Sequence, residues 1–267
     1  MTVAAGHARA LEVAIEAAAE AAAHIRRAWT AGGISFKTKS TEIDLVTVVD
    51  QEAEDIVSGR LRAAFPGDRL VLEEGGEQGD PGPRCWYVDP LDGTTNFAHG
   101  FPHFAVTVAL EEAGETVVGV VHDVIRDECY AARRGGGATV DGVTLAVSRT
   151  EGLDRALLAT GFPYDRRENP DNNLREAAAF WTTARGIRRP GAASLDLASV
   201  ARGWFDGYWE MRLNPWDVAA GALLVEEAGG RVTDYSGGPM DPGGGEYVAS
   251  NGQIHDEMLE VIQRIRG

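Results

Sequence analysis

The run Trp86-Tyr87-Val88-Asp89-Pro90-Leu91-Asp92-Gly93-Thr94-Thr95-Asn96-Phe97 sets two carboxylates three residues apart at the end of an apolar stretch. Cys85 to Val88 reads as a strand, and Pro90, which has no backbone N–H, stops the ladder there. Gly93-Thr94-Thr95 can then turn several N–H groups toward one point. Carboxylate oxygens suit a hard divalent cation such as Mg²⁺, and free N–H groups at a helix start suit a phosphate. The pattern therefore points to a pocket where metal and phosphate meet. Its alternative is an ordinary turn, because Asp, Pro and Gly are the commonest turn formers.

Three other segments bring further carboxylates. Val71-Leu72-Glu73-Glu74-Gly75-Gly76 is a second short apolar strand, Arg69 to Leu72, ending in acid before a glycine-rich loop. Side by side, the two strand ends would make a cradle for a cation; alone, Glu73 and Glu74 would read as a solvated loop. In Asn214-Pro215-Trp216-Asp217, Asn214 is a plausible N-cap with Pro215 at the first helical position, so Asp217 falls in the first turn, as a ligand or as a dipole-stabilising residue. Asp44-Leu45-Val46-Thr47-Val48-Val49-Asp50 is a β-branched strand running into a helix that starts near Asp50 and continues through Glu54, Val57 and Leu61. Asp50 is there either a functional carboxylate or that helix's N-cap.

The elements that must position these groups follow from periodicity. Thr2 to about Trp29 is alanine-rich with apolar residues at helical spacing and reads as a long helix. Strand, helix and strand fill about Ile34 to Leu72. From Phe104 to Val140 short apolar blocks alternate with turns, as in an antiparallel meander. Gly135-Gly136-Gly137 lacks the Lys-Ser/Thr and the helix of a phosphate loop, so it reads as a hairpin turn. After Thr150 the spacing predicts a strand at Ala156–Thr160, helices at Asp171–Ala184 and Ala192–Ala201, and a strand at Asp206–Glu210. A helix after Asn214 stops at Gly229-Gly230, then come a short strand at Tyr247–Ala249 and a last helix at Ile254–Ile265. With no linker in between, two subdomains, 1–147 and 148–267, are expected to share one cleft.

Composition narrows the function classes. A chain of 267 residues with 44% apolar content suits one large core or two closely packed subdomains. The formal charge of −16, from 41 acidic against 25 basic residues, argues against a partner gripped through broad phosphate neutralisation, so no nucleic acid is expected. Bound cations would supply the positive field that an anionic substrate needs. Lys37 and Lys39 are the only lysines. Cys85 and Cys129 lie among strand-like apolar residues and read as small hydrophobes without a disulfide. With no signal segment and no apolar run of about 20 residues, the expectation is no membrane and a cytoplasmic protein.

Taken together, these motifs resemble the inositol monophosphatase family, part of the magnesium-dependent, lithium-sensitive sugar and nucleotide phosphatases. The match also takes in Gly161-Phe162-Pro163 and Arg188-Arg189-Pro190-Gly191-Ala192-Ala193-Ser194-Leu195-Asp196, and spans nearly the whole chain. Two departures are Leu72 for a Gly and Gly75 for a Ser, both beside ligand positions. The resemblance implies an α+β fold, the layered α-β-α-β-α sandwich of the inositol monophosphatase/fructose-1,6-bisphosphatase type, and a homodimer. It implies two Mg²⁺, with room for a third near Glu73. Glu73, Asp89 and the Leu91 carbonyl would hold one, Asp89, Asp92 and Asp217 the other.

By the same resemblance, Thr94 hydrogen-bonded to Asp50 would orient and deprotonate the attacking water, and the N–H groups of Gly93 and Thr94 would hold the phosphate. Gly191, Ala192 and Ala193 would line the polyol side, where Glu210 accepts hydrogen bonds from substrate hydroxyls. Lys39 would lie near the mouth of the site, and Glu74 would stand behind the ligands. His99 and His103 read as structural, because hard Mg²⁺ prefers oxygen. The expected substrate is a small phosphomonoester, inositol monophosphate first. The alternatives are histidinol phosphate, fructose 1,6-bisphosphate and 3′-phosphoadenosine 5′-phosphate, or a binding role with the transcription machinery.

Overall fold

The computed structural model describes residues 3–32, 36–38, 45–243 and 245–267. Lys39 and Asp44 lie outside them. The chain opens with α1 (Val3–Ala31), a ribbon of β1 (Phe36–Thr38) and β2 (Leu45–Thr47), and α2 (Val48–Ala64). Next come β3 (Arg69–Leu72), β4 (Gly76–Gln78), β5 (Arg84–Asp92) and α3 (Thr94–His99). The meander consists of β6 (Ala105–Glu112), β7 (Glu115–Asp123), β8 (Glu128–Arg133), β9 (Ala138–Val140) and β10 (Val143–Thr144). The remainder runs β11 (Leu157–Thr160), α4 (Leu174–Thr183), β12 (Gly186–Arg188), α5 (Ala193–Ala201), β13 (Gly207–Met211), α6 (Pro215–Glu227), β14 (Arg231–Thr233), β15 (Glu246–Ser250) and α7 (His255–Arg266).

One sheet has eight strands in the order β10-β9-β8-β7-β6-β5-β3-β4, the other five in the order β12-β11-β13-β15-β14. In the first, β3 and β5 are parallel and every other pair is antiparallel. Helices α1 and α2 cover one face of it and α6 the other. Alanines 10, 14, 17, 18, 21 and 22 of α1 are all buried, and their small side chains let the helix lie close to the strands. Helix α5 pairs with α6 and rests on the second sheet, whose far face meets α4 and α7. The alternation of β13 shows the two faces: Tyr208 joins the core with α5, whereas Trp209 packs on Phe180 of α4. The layers are therefore α-β-α-β-α, as the resemblance implies.

The structure corrects three local readings. Pro90 does not end its strand; β5 continues to Asp92 through an irregularity, its partners on β6 shifting from Thr107 at Asp89 to Ala105 at Asp92. One extra residue sits in β5, so Pro90 occupies a bulge where no ladder donor is needed. Helix α2 starts before Asp50. Thr47 is its N-cap, accepting from the Val49 N–H, and Asp50 reaches back to the Thr47 N–H from the third helical position. Strands β12 and β14, three residues each, were not anticipated because they are too short to show alternation. The triple-glycine segment is the β8–β9 hairpin turn, and the Glu227 carboxylate accepts from the Gly135 and Gly137 N–H groups.

Candidate active site

The parallel pairing of β3 with β5 brings two acidic strand ends together. Leu72 lies opposite Val88, and the Glu73 N–H donates to the Val88 carbonyl at 3.1 Å, so Glu73 stands beside Asp89. Past the bulge, the Leu91 N–H donates to Asp89 Oδ1 at 2.8 Å, closing a tight turn around Pro90. Gly93 then adopts φ +97°, and a Cβ there would come within 3.0 Å of the His103 carbonyl oxygen, so only glycine fits this turn. Helix α3 starts at Thr94, leaving the first N–H groups of the helix without partners inside it. Phe97 anchors the segment against Trp29 and Phe104, with ring centroids 5.9 and 5.3 Å away. Each such pair contributes about 0.5–1.5 kcal/mol beyond area burial.

Helix α2 supports both strand ends from one face. Asp50 is fully buried, accepts from Thr47 Oγ1 at 2.5 Å and from Thr94 Oγ1 at 2.9 Å, and so stands behind Thr94 rather than on the cleft wall. One turn later, Glu54 accepts from the Glu74 N–H at 2.8 Å and holds the loop after Glu73. The Glu54 carboxylate also explains Gly75, where a Cβ would lie 2.8 Å from its Oε1. Sequence reasoning missed this role of Glu54, although its i,i+4 spacing from Asp50 marks a shared helix face. Thr94 Oγ1 also lies 3.0 Å from the Leu91 carbonyl oxygen, so its single hydroxyl proton has two acceptors to choose between.

The other two acids are held at the starts of α6 and α5. Asp217 holds the third position of α6 and accepts from the Asn214 N–H at 2.7 Å, while the Trp216 carbonyl accepts from Thr107 Oγ1 of β6 at 2.8 Å. Asp92 Oδ2 accepts from both the N–H and the hydroxyl of Ser194, at 2.8 and 2.5 Å, at the start of α5. Asn96 Nδ2 donates to the His103 and Pro190 carbonyls at 2.8 and 2.9 Å, tying α3 to the segment before α5. Ser194 was not picked out from sequence, although it lies in the quoted motif. Neither was Asp196, whose buried Oδ1 lacks a hydrogen-bond partner among the described residues and lies 3.8 Å from His103 Nε2.

A single cleft is lined by Glu73, Asp89, Leu91, Asp92, Gly93, Thr94 and Asp217 and, opposite, by Gly161, Gly191, Ala192, Ala193 and Glu210. The candidate residues come together there, with Asp50 one step behind. Burial pushes the Asp50 carboxyl above its ordinary range against the hydrogen bonds from Thr47 and Thr94. Asp89 is pushed well above it by burial and then by the charges of Glu73, Asp92 and Asp217. Asp92 is raised by burial against the bonds from Ser194, and Asp217 is raised well above by burial and then by Glu73. Glu210 is buried, accepts from the Tyr208 hydroxyl at 2.6 Å, and is pushed up to about 7 by its burial.

These acids repel one another. Carboxylates forced together in a buried site need either protons or cations, and an all-oxygen donor set suits a hard divalent ion. Among the described residues, no three His, Cys, Asp or Glu side chains are gathered tightly enough to hold an ion unaided. The donors therefore share the cleft without forming a closed cage. Also among the described residues, no helix is long and apolar enough to cross a membrane.

Comparison with known proteins gives the arrangement its place. The model of the inositol monophosphatase family matches residues 7–266. The chain belongs to the inositol monophosphatase family. An inositol-1-monophosphatase of Synechocystis sp. is 42% identical over 254 residues, 94% of this chain and 88% of that protein. The protein called Nus factor SuhB in Pseudomonas aeruginosa is 43% identical over 258 residues, 95% of each. A solved inositol monophosphatase from Anabaena (Nostoc) sp. superimposes with a TM-score of 0.88 at 41% identity, covering 95% of each chain. A solved IMPase/NADP phosphatase, described as complexed with Mg²⁺ and phosphate, superimposes with a TM-score of 0.75 at 26% identity, covering 86% of each chain. The chain is thus a phosphatase of the inositol monophosphatase family.

Proposed function

We propose that this phosphatase hydrolyses the phosphomonoester of a small polyol, with inositol monophosphate as the leading substrate and Mg²⁺ as the cofactor. The observation that carries the reading is the pairing, in one cleft, of a carboxylate-rich side with a buried Glu210 on the opposite wall. Glu73, Asp89 and the Leu91 carbonyl would hold one Mg²⁺ and Asp89, Asp92 and Asp217 a second, with a third near Glu73. When bound, the ions supply charge neutralisation of the phosphoryl oxygens and lower the pKa of water in the site.

The chain's own groups do the rest. A Thr94 hydroxyl donating to Asp50 keeps its lone pairs turned away from that carboxylate and able to accept a proton from water. Asp50, whose carboxyl is raised by burial, is placed at 2.9 Å to take the hydroxyl proton as the proton from water arrives. The N–H groups of Gly93 and Thr94 are disposed to receive phosphate oxygens. On the far wall Glu210 accepts from substrate hydroxyls, and Gly191, Ala192 and Ala193 leave space for the ring. The division into 1–147 and 148–267 assigns the acids before Asp217 to one half and the polyol wall to the other.

The test is phosphate release from a panel of phosphomonoesters with and without Mg²⁺, including inositol 1-phosphate, histidinol phosphate, fructose 1,6-bisphosphate and 3′-phosphoadenosine 5′-phosphate. Preference for a substrate without polyol hydroxyls, or full activity in excess EDTA, would overturn the reading.

A further inference from the structure

The structure carries a positioning device for Glu210 on a neighbouring strand. Gly161 follows β11, which runs parallel to β13, with Thr160 opposite Trp209. A Cβ built on Gly161 would lie 2.1 Å from both carboxylate oxygens of Glu210. That is far inside any non-bonded contact, so the Glu210 carboxylate rests on the bare Cα of Gly161. The φ of Gly161 is not in the left-handed region, so its backbone imposes no demand for glycine. What requires glycine is the space taken by Glu210.

Which partner would yield to a side chain at 161 follows from the hydrogen bonds around it. Asn173 is buried and donates through Nδ2 to the Gly161 carbonyl at 2.7 Å and to Thr160 Oγ1 at 2.8 Å. Thr160 Oγ1 donates on to the Trp209 carbonyl at 2.6 Å, and Trp209 Nε1 donates to Asn173 Oδ1 at 2.7 Å. This closed set of buried bonds fastens the end of β11 to β13, and breaking it would strand several buried polar groups. The backbone at 161 therefore stays in place. Among the described residues the one hydrogen bond to the tip of Glu210 comes from the Tyr208 hydroxyl, with the Arg189 charge nearby, so its carboxylate is what a methyl group would displace.

We propose that Gly161, held by Asn173, is a positioning and specificity-determining residue. It gives the Glu210 carboxylate the one place from which it meets substrate hydroxyls, and any larger residue at 161 moves the enzyme away from hydroxylated substrates. This rests on the assignment of Glu210 to the substrate wall. Gly161 itself makes no contact that the chemistry on the phosphate needs.

The experiment is a double-mutant cycle with Gly161→Ala, Glu210→Gln and the pair, each assayed on inositol 1-phosphate and on p-nitrophenyl phosphate, which presents no hydroxyls. The ratio of kcat/KM between the two substrates should fall roughly tenfold or more in Gly161→Ala, chiefly through KM, and by a similar factor in Glu210→Gln. The pair should show little further fall, because the second change removes what the first has already displaced. If Glu210→Gln shifts the ratio and Gly161→Ala does not, or if the two effects multiply, the inference is overturned while the substrate wall stands. If Glu210→Gln leaves the ratio alone, the substrate-wall assignment itself fails and the inference with it. Should Gly161→Ala not fold, Gly161→Ala with Glu210→Ala decides the matter. Recovery of a folded protein once the carboxylate is gone supports the overlap, and continued failure shows that the fold, not Glu210, demands the glycine.

Discussion

Ser194→Ala tests how the metal side of the site is held. Asp92 Oδ2 receives two hydrogen bonds from Ser194, one from the backbone N–H and one from the hydroxyl, and the substitution removes only the second. Ser194 is fully buried at the start of α5, and alanine is smaller by a single oxygen, so the fold should tolerate the change. A hydrogen bond to a charged group contributes about 1.5–3 kcal/mol, which corresponds to roughly tenfold to 150-fold in an equilibrium constant. The bond also opposes the burial that raises the Asp92 carboxyl, so its loss moves Asp92 further up and lets protons compete better with Mg²⁺. The assay is phosphate release against Mg²⁺ concentration at fixed pH. Half-saturation should rise by roughly tenfold or more, in line with the effect of removing groups that orient metal ligands, while the rate at saturating Mg²⁺ largely recovers. A variant with unchanged Mg²⁺ half-saturation would refute the idea that the start of α5 orients Asp92 for the cation.

Asp89→Asn or Asp217→Asn should lower turnover by orders of magnitude with the melting temperature preserved, and full activity of Asp89→Asn would refute its shared position between two ions. Li⁺ resembles Mg²⁺ in radius with half its charge, so millimolar Li⁺ should inhibit at limiting Mg²⁺; an unaffected rate would show a site tuned differently from that of the family. Glu210→Gln should cost roughly tenfold to a hundredfold on a polyol phosphate, the scale of about 1–3 kcal/mol for a disturbed charged hydrogen bond, and much less on p-nitrophenyl phosphate. His255 is buried between Thr233 and Ser250 and held down to about 4 by its burial. Its neutral form is the folded one, so the unfolded chain takes up the proton first. Stability is present above about pH 6.5 and is lost as pH falls toward 4, by about 3 kcal/mol from this group. Melting curves of His255→Gln should therefore flatten between those limits relative to the parent protein, and parallel curves would rule the histidine out.

Much of the acidic side was readable because each of its parts is local. Asp89 and Asp92 share one segment, Asp217 follows its own Asn-Pro helix start, and Glu73 ends a recognisable strand. What escaped was nonlocal or conditional. That Ser194 clamps Asp92 spans 102 positions and depends on how α5 packs, which no periodicity encodes. The seat of Glu210 on Gly161 requires the pairing of β11 with β13. Pro90 was misread because a proline breaks a ladder unless the strand bulges at that point, and the bulge exists only once β6 is in register. At the start of α2, two residues could cap by type, and only the backbone conformation of Thr47, at φ −120° and ψ 166°, decides between them.

The central helix pair has an evolutionary consequence. Helices α5 and α6 lie between the two sheets, and each presents its N-terminal end to the cleft, one carrying Ser194 and the other Asp217. The carboxylate side of the cleft thus depends on the ends of β3 and β5 and on the starts of two helices, whereas Gly161 to Tyr164 and Arg212 to Leu213, in the turns after β11 and β13, line another part of it. Residues of those turns can drift, lengthen or be exchanged while the ladder of the larger sheet and the two helix starts keep the reactive groups in register. A lineage built on this plan can take up new phosphate esters by editing the turns after two inner strands of a five-stranded sheet, and it need not reinvent the chemistry each time.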